Sequence, residues 1–413
     1  AERTSGHDVA RLQQTHRKQA QNQAMELLLL TPQLPYPPRQ GTTLRNYNLI
    51  EQLAKRHTID LLTFVGPGES LRDDSPLHAL CRHIATVDQP VRSQTSRIRD
   101  TALSPHPDMA LRLESSAMRA LVRAWAGAHT YDIVQAEGIE MAQYGVLVNR
   151  LPNRGARRPQ FVFDNHNCEY LLQKRNALTY LRRADRLLAA GYSLVQWQKL
   201  VRYETAICRA ADAVTVVSAA DGAALQKIVP ELTPTVVSNG IDLSQYEHVA
   251  VNEEPATLVF TGKMDYRPNI DAALWYCQEV LPLVAAEVPE VRFQIVGMKP
   301  HARLDPLRTM TGVEITGAVE DVRPYLYRAT AYVIPMRIGG GTRFKALEAM
   351  AARKATVSTS LGVEGIGVTN GREMLIADEP QAMADAILGL IRDGSARRAQ
   401  LGETAYGFVA ANY

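Results

Sequence analysis

The chain has 413 residues, too many for one ordinary hydrophobic core and suited to two domains of about 200 residues each. Hydrophobic residues make up 46% and charged residues 22%, the profile of an ordinary globular protein, and a net charge of +3 is too small to point to nucleic acid as the main partner. The cysteines (Cys81, Cys168, Cys208 and Cys277) are scattered, with no C-x-x-C pair, which points to a reducing compartment and away from a structural zinc site.

Residues 1–25 are polar and rich in Gln, Arg and His, without an apolar period, and are expected to form a flexible arm. The regular pattern starts at Glu26. Glu26–Leu30 reads as a fully buried strand, its apolar run Leu27–Leu30 closed by Thr31-Pro32. It is too short for a membrane span and wrongly flanked for a signal peptide. A cytoplasmic protein is therefore expected, with peripheral contact on the inner face of the membrane left open. A proline-rich loop leads to Gly41 and an amphipathic helix from about Thr42 to Arg56, and Thr58–Val65 is a second strand. Further strands are expected at Tyr131–Gln135, Gln160–Phe163, Ala213–Val217 and Thr235–Val237.

Two stretches interrupt this rhythm. Residues 90–130 and 170–210 read as helical and are rich in arginine, with Trp125 and Trp197 among them. They form either a basic surface for an anionic acceptor or lipid headgroups, or a solvated helix face with its apolar side in the core. A linker is expected at 241–254. Beyond it, strands are predicted at Thr257–Thr261, Arg292–Val296, Val313–Thr316, Ala331–Ile334, Thr356–Ser358 and Met374–Ile376. Helices include Asn269–Val288 and Thr342–Ala352. Strands alternating with helices predict an α/β protein of two doubly wound halves, with ligand at the carboxyl ends of the strands.

The strongest chemical signal lies in the second half. After the strand Ala331–Ile334, the sequence PMRIGGGTRFKALEAM reads as a glycine-rich turn running into a helix. Free N–H groups at the helix start, the helix dipole and the cations Arg343 and Lys345 make a phosphate site. Glu348 lies over one turn further on, where a carboxylate can accept from a sugar hydroxyl pair. Neither G-x-G-x-x-G nor G-x-x-x-x-G-K-[ST] occurs, which disfavours NAD and P-loop enzymes. At the end of the strand Thr257–Thr261, Gly262 allows close backbone approach, and Lys263 and Arg267 match a diphosphate. In the first half, His166 follows a strand beside polar residues and is a candidate for hydrogen bonding to a sugar or acceptor hydroxyl. Gly41, with Arg39 and Arg45, marks another strand-to-helix anion position, or a plain turn with solvated cations. Glu137 at a strand end either orients an acceptor or forms a salt bridge. No Ser–His–Asp series and no carboxylate cluster for a metal is apparent.

Together these residues resemble the family 4 retaining glycosyltransferases of the GT-B fold, closest to the sugar transferases of exopolysaccharide and exosortase systems. The marks are FTGKMDYRPNIDAALWY (260–276), IPMRIGGGTRFKALEAMA (334–351), VVSAADGAAL (216–225) and VVSNGID (236–242). The resemblance implies two Rossmann-like domains facing a central cleft. These are an acceptor domain over 26–240, a nucleotide-sugar domain over 255–395 and a C-terminal helix over 396–413. It implies transfer of a sugar from a UDP- or GDP-sugar to a glycan or lipid-linked acceptor, with retention, no metal and no cofactor besides the donor substrate. Carried over by position, Lys263 and Arg267 serve the leaving diphosphate and His166 the donor sugar. Gly262, Gly41, Gly339, Gly340, Gly341 and Thr342 face the phosphates, Arg343 adds a cation, and Glu348 holds the ribose. The first Glu of the family's Glu, seven residues, Glu motif would fall at position 340, which is Gly340 here. The family usually runs on past the FVAANY end into a further helix. Two rival expectations are a sugar-nucleotide 2-epimerase on the same fold and a non-catalytic sugar-nucleotide or glycan-binding subunit.

Overall fold

A computed structural model of the chain describes residues 24–38, 41–151, 158–181, 187–246, 251–339 and 343–413. The arm over 1–23, Arg39, and the turn residues Gly340, Gly341 and Thr342 lie outside the described residues.

Two parallel sheets organise the molecule. The first contains β1 (Glu26–Thr31), β2 (Thr58–Val65), β3 (His83–Asp88), β4 (Ile133–Glu137), β5 (Gln160–Asn165), β6 (Ala213–Val216) and β7 (Thr235–Val236) in the order β3-β2-β1-β4-β5-β6-β7. The second contains β8 (Thr257–Thr261), β9 (Arg292–Val296), β10 (Val313–Gly317), β11 (Ala331–Ile334), β12 (Thr356–Ser358) and β13 (Leu375–Ile376) in the order β10-β9-β8-β11-β12-β13. The central strands are apolar along their length because helices cover both faces. Leu28, Leu30, Phe161 and Phe163 in the first sheet, and Phe260, Phe293 and Tyr332 in the second, are completely buried.

The chain forms two compact units. The second gathers Val236–Tyr413 with Leu178–Arg182 and Val216–Ala224, and the first takes the rest. The helix Gly394–Asn412 packs on the helix Phe344–Ala351 within the second unit. In each sheet the strand order reverses direction at one place, beside β1 and β4 in the first and beside β8 and β11 in the second. Crevices at the carboxyl ends of strands open at such points.

Ten of the predicted strands begin where the sequence places them, and β4 and β13 start one or two residues late. One strand has no predicted counterpart. β3 is an edge strand, half-exposed along its length, so its sequence HIATVD carries no buried apolar run. The predicted helix Asn269–Val288 is interrupted. It runs as Arg267–Trp275, a π-turn over Tyr276–Val280 and a helix Leu281–Glu287. Pro282 has no N–H for a carbonyl one turn back, and its ring collides with that turn, so the ladder loosens just ahead of it.

Two glycines hold the ends of β8 and β9 together. Gly262 and Gly297 both have φ of +153°, and the Gly262 N–H donates to Val296 O at 2.9 Å. A Cβ on Gly297 would lie 1.7 Å from Gly262 O. Gly297→Ala is thus expected to destabilise the second unit by roughly 3 kcal/mol, the upper end for overpacking, since backbone itself must move. Chemical denaturation reads this, and an unchanged midpoint would contradict the packing.

Candidate functional site

In the second unit, the turns after β8 and β11 meet. Gly339 has φ of +120°, and a Cβ there would lie 3.3 Å from Pro268 Cβ, at the start of the helix Arg267–Trp275. The helix Phe344–Ala351 begins just beyond the glycine turn. Its buried residues Ala346, Leu347, Ala349, Met350 and Ala351 fix its phase. Lys345 and Glu348, three apart, therefore share the opposite face.

Lys345 reaches back under β8. A Cβ on Gly262 would come within 2.8 Å of Lys345 Nζ and 2.7 Å of Asn269 Nδ2, so the glycine provides the room for both. Nζ sits 5.7 Å from the centroid of the Phe260 ring. Burial, with the neighbouring Arg343, lowers the Lys345 pKa, and Glu348 opposes this. Burial raises the Glu348 pKa, and Lys345 opposes that. Glu348 also acts on the phenols of Tyr246 and Tyr332, which burial already raises, so both rings stand close to the carboxylate. The Tyr332 hydroxyl is engaged with Thr261 Oγ1 at 2.6 Å. No hydrogen bond or ion pair within the described residues reaches Lys345 Nζ or the Glu348 carboxylate. With each other's charge and the Phe260 ring near them among the described residues, the half-buried ammonium and carboxylate keep hydrogen-bonding capacity for a ligand.

The other predicted cations divide. Lys263 is about a third exposed and lies 3.7 Å from Asp265. Arg267 is exposed at the first residue of its helix, one turn before Asp271. Arg343 departs from expectation: its guanidinium is nearly buried and ion-paired with Glu364 at 3.1 Å. It is the N-cap residue of the helix, so its side chain leaves in a different direction from Lys345.

In the first unit the sequence reading missed a cluster. β4 and β5 pair in parallel with Glu137 opposite Asp164, which brings together residues 27 positions apart. His166 Nε2 lies 2.8 Å from Glu137 Oε2 and 3.4 Å from Asp164 Oδ2. Arg45, from the helix Gly41–Leu53, donates to both oxygens of Asp164 at 2.8 Å, and Thr215 Oγ1 donates at 2.5 Å. Arg45 fits neither expectation, a cation facing an outside anion or a solvated one, because it is buried against Asp164. Donor atoms of Glu137, Asp164 and His166 lie within 4.8 Å of one another, a spacing open to a cation. Arg45 already supplies one to Asp164, and the imidazolium supplies another.

The charges follow from these contacts. Burial opposes ionisation of Asp164, but the hydrogen bond from His166 and the Arg45 charge outweigh it and hold the carboxyl well below its usual range. Burial also opposes charging of His166, but Asp164 and Glu137 push its pKa up to about 9. Burial, then repulsion from Asp164, raise Glu137, and His166 pulls it back. Because the folded pKa of His166 lies above its ordinary 6.5, its contribution to stability is complete below that value and is lost as pH rises through about 9. The depressed Asp164 contributes above its ordinary 3.8 and loses that contribution in stronger acid. Asp164→Asn would remove the charge that faces both Arg45 and His166 inside the unit, at a cost of about 3–5 kcal/mol. Denaturation of the variant near pH 7 measures this, and a loss below about 1 kcal/mol would contradict a buried ion pair.

Within the stretch 90–130, several of the described arginines are paired with carboxylates of the same stretch. Arg92 pairs with Asp100 and Asp108, Arg97 with Asp108, and Arg99 with Asp100. Lys199 donates to the carbonyls of Asp100 and Thr101. All four cysteines are free and buried. Among the described residues, no helix is long and apolar enough to cross a membrane.

Two Rossmann-like sheets, each with its chemistry-bearing residues at the carboxyl ends of its central strands, define a GT-B glycosyltransferase architecture. Two family models match: Glycosyltransferase Family 4 over residues 39–245 and Glycosyl transferases group 1 over residues 255–393. The chain belongs to the family 4 glycosyltransferases. Among solved structures, sucrose-phosphate synthase from Thermosynechococcus elongatus is similar at 18% identity, with a TM-score of 0.68 and 94% of each chain covered. Anabaena HepE in complex with UDP and glucose is similar at 15% identity and a TM-score of 0.63, over 94% of this chain and 95% of that one. An uncharacterised 44.6 kDa protein in the cps region of Klebsiella pneumoniae is 26% identical over 164 residues, which span 38% of this chain and 42% of that relative.

Proposed function

We propose that the chain is a retaining glycosyltransferase that moves a hexose-type sugar from a UDP- or GDP-linked donor to a glycan or lipid-linked acceptor, with no metal and no cofactor beyond the donor. The observation that carries this reading is the pair Lys345 and Glu348. Opposite charges, half-buried and with no hydrogen bond or ion pair among the described residues, stand on one helix face near the turns after β8 and β11. An ammonium there suits a diphosphate, and a carboxylate one turn further suits the two ribose hydroxyls, which are donors. The UDP complex of the structurally similar Anabaena protein supports a nucleotide ligand.

In the proposed reaction the bond between the anomeric carbon and the β-phosphate oxygen breaks, and its electron pair leaves with the diphosphate. Lys345, Lys263 and Arg267 stabilise that growing charge. The acceptor hydroxyl oxygen bonds to the anomeric carbon on the same face, and its proton passes to the departing phosphate oxygen. His166 donates to a hydroxyl of the donor sugar. Gly339 and Gly41, the latter at the start of the helix Gly41–Leu53, are assigned to the phosphates. The test is incubation with UDP- and GDP-hexoses, a chelator and lipid-linked or oligosaccharide acceptors, with the product read by NMR. An α-linked product from an α-linked donor supports the reading. Inversion, or epimerised donor without transfer, overturns it.

A further inference from the structure

His166 is held by one ring nitrogen and leaves the other unused. Nε2 faces the two carboxylates, Glu137 at 2.8 Å and Asp164 at 3.4 Å. Nδ1 is the ring atom next to Gly138, where a Cβ would stand 3.7 Å away. No described residue hydrogen-bonds to Nδ1, although the side chain is only 11% exposed. Gly138 has φ of +80°, so the turn after β4 needs a glycine, and a Cβ there would also stand 3.3 Å from Glu140 Oε2, the carboxylate oxygen nearest to that position.

We propose that Glu137 is a positioning residue, which pins Nε2 of His166 so that the ring presents Nδ1–H outward as a fixed hydrogen-bond donor to the donor sugar. The inference rests on the transferase reading and deepens it, because it makes His166 a donor throughout the working pH range and never a base. A carboxylate that fixes the far nitrogen of a histidine sets both its protonation and its orientation. Glu137 is the nearer of the two carboxylates, at 2.8 Å against 3.4 Å for Asp164, whose oxygens also accept from Arg45 and Thr215. Glu137 has one further partner, Gln135 Nε2, which donates to Oε1 at 2.6 Å and leaves Oε2 aimed at the ring. The remaining charged groups around the ring are Glu140, paired with Arg112, and Glu169, which burial raises to about 7 and whose charge His166 favours.

The experiment is 15N NMR of the imidazole-labelled full chain, with His166 assigned through His166→Asn, alongside donor kinetics from pH 6 to pH 10. In the wild type both ring nitrogens are expected to stay protonated until about pH 9. In Glu137→Gln the midpoint is expected to fall by about one unit or more, as expected on losing a nearby charge. Its kcat/KM for the donor should then decline above about pH 7 while UDP affinity stays unchanged, and Glu137→Asp should restore part of the midpoint. A wild-type His166 that titrates near its ordinary 6.5, or a variant with an unmoved midpoint and pH profile, overturns the proposal. The titration needs no substrate, so it decides the role of Glu137 even if no nucleotide binds, a result that would instead count against the transferase reading. If Glu137→Gln does not fold, the wild-type midpoint and tautomer still decide.

Discussion

Lys345→Ala is expected to lower kcat by roughly 10- to 150-fold, with a smaller change in donor KM. The range follows from about 1.5–3 kcal/mol for a hydrogen bond to a charged group, at about 1.4 kcal/mol per tenfold. The ammonium is half-buried, so little solvent screens it, and among the described residues the Phe260 ring and the Glu348 charge lie near it, with no hydrogen bond or ion pair. In the proposed reaction its partner is the diphosphate, and a charge that grows as the sugar–phosphate bond breaks is favoured more in the transition state than before it. Lys263→Ala should have the same sign and a smaller effect, because Lys263 is about a third exposed and already near Asp265. Lys345→Arg should not rescue. Nζ already fills the space that a Gly262 side chain would take, and a guanidinium is larger. Initial rates over a range of donor concentrations separate the two constants. Equal, small effects on kcat and KM would make Lys345 a packing residue.

Glu348→Ala is expected to weaken nucleoside diphosphate binding by tenfold or more, from the same 1.5–3 kcal/mol for bonds to a charged group. The loss should be specific to the sugar hydroxyls. Wild-type protein should bind UDP or GDP more tightly than the 2′,3′-dideoxy nucleotide, and the variant should bind the two about equally. That comparison is a double-substitution cycle between carboxylate and ribose, and it removes any general effect of the variant on the fold. The pH dependence has a definite sign. Burial raises the Glu348 pKa above its ordinary 4.5, so affinity should fall as pH drops through that raised value. Unchanged discrimination against the dideoxy nucleotide would show that the carboxylate is structural.

The fold was readable because buried parallel strands are written as short continuous apolar runs, and runs such as Leu27–Leu30 and Ala331–Ile334 are unambiguous. β3 was not, because an edge strand buries too little to need such a run. Within the site, the glycine turn, Gly262 and Glu348 stand out in the sequence, since few other residue types tolerate close backbone approach or a carboxylate set into an apolar helix. The sequence places Arg343 and Lys345 together at the helix start but does not say which side chain turns inward. Helical phase supplies that signal: Lys345 shares a face with Glu348, whereas Arg343 caps the helix and pairs with Glu364. The cluster of Arg45, Glu137, Asp164 and His166 depends on the register of β4 against β5, and register is a tertiary fact that neither segment states alone. That β4 and β5 would be neighbours follows from alternation, but not that Glu137 would face Asp164.

The measurement that tests the central claim most directly is calorimetric titration of the chain with UDP, GDP, ADP and TDP in the presence of a chelator. Saturable binding of UDP or GDP, abolished or at least tenfold weakened by Glu348→Ala, is the predicted result. Absence of binding by all four nucleotides to well-folded protein would contradict a nucleotide-sugar site at the carboxyl ends of β8 and β11.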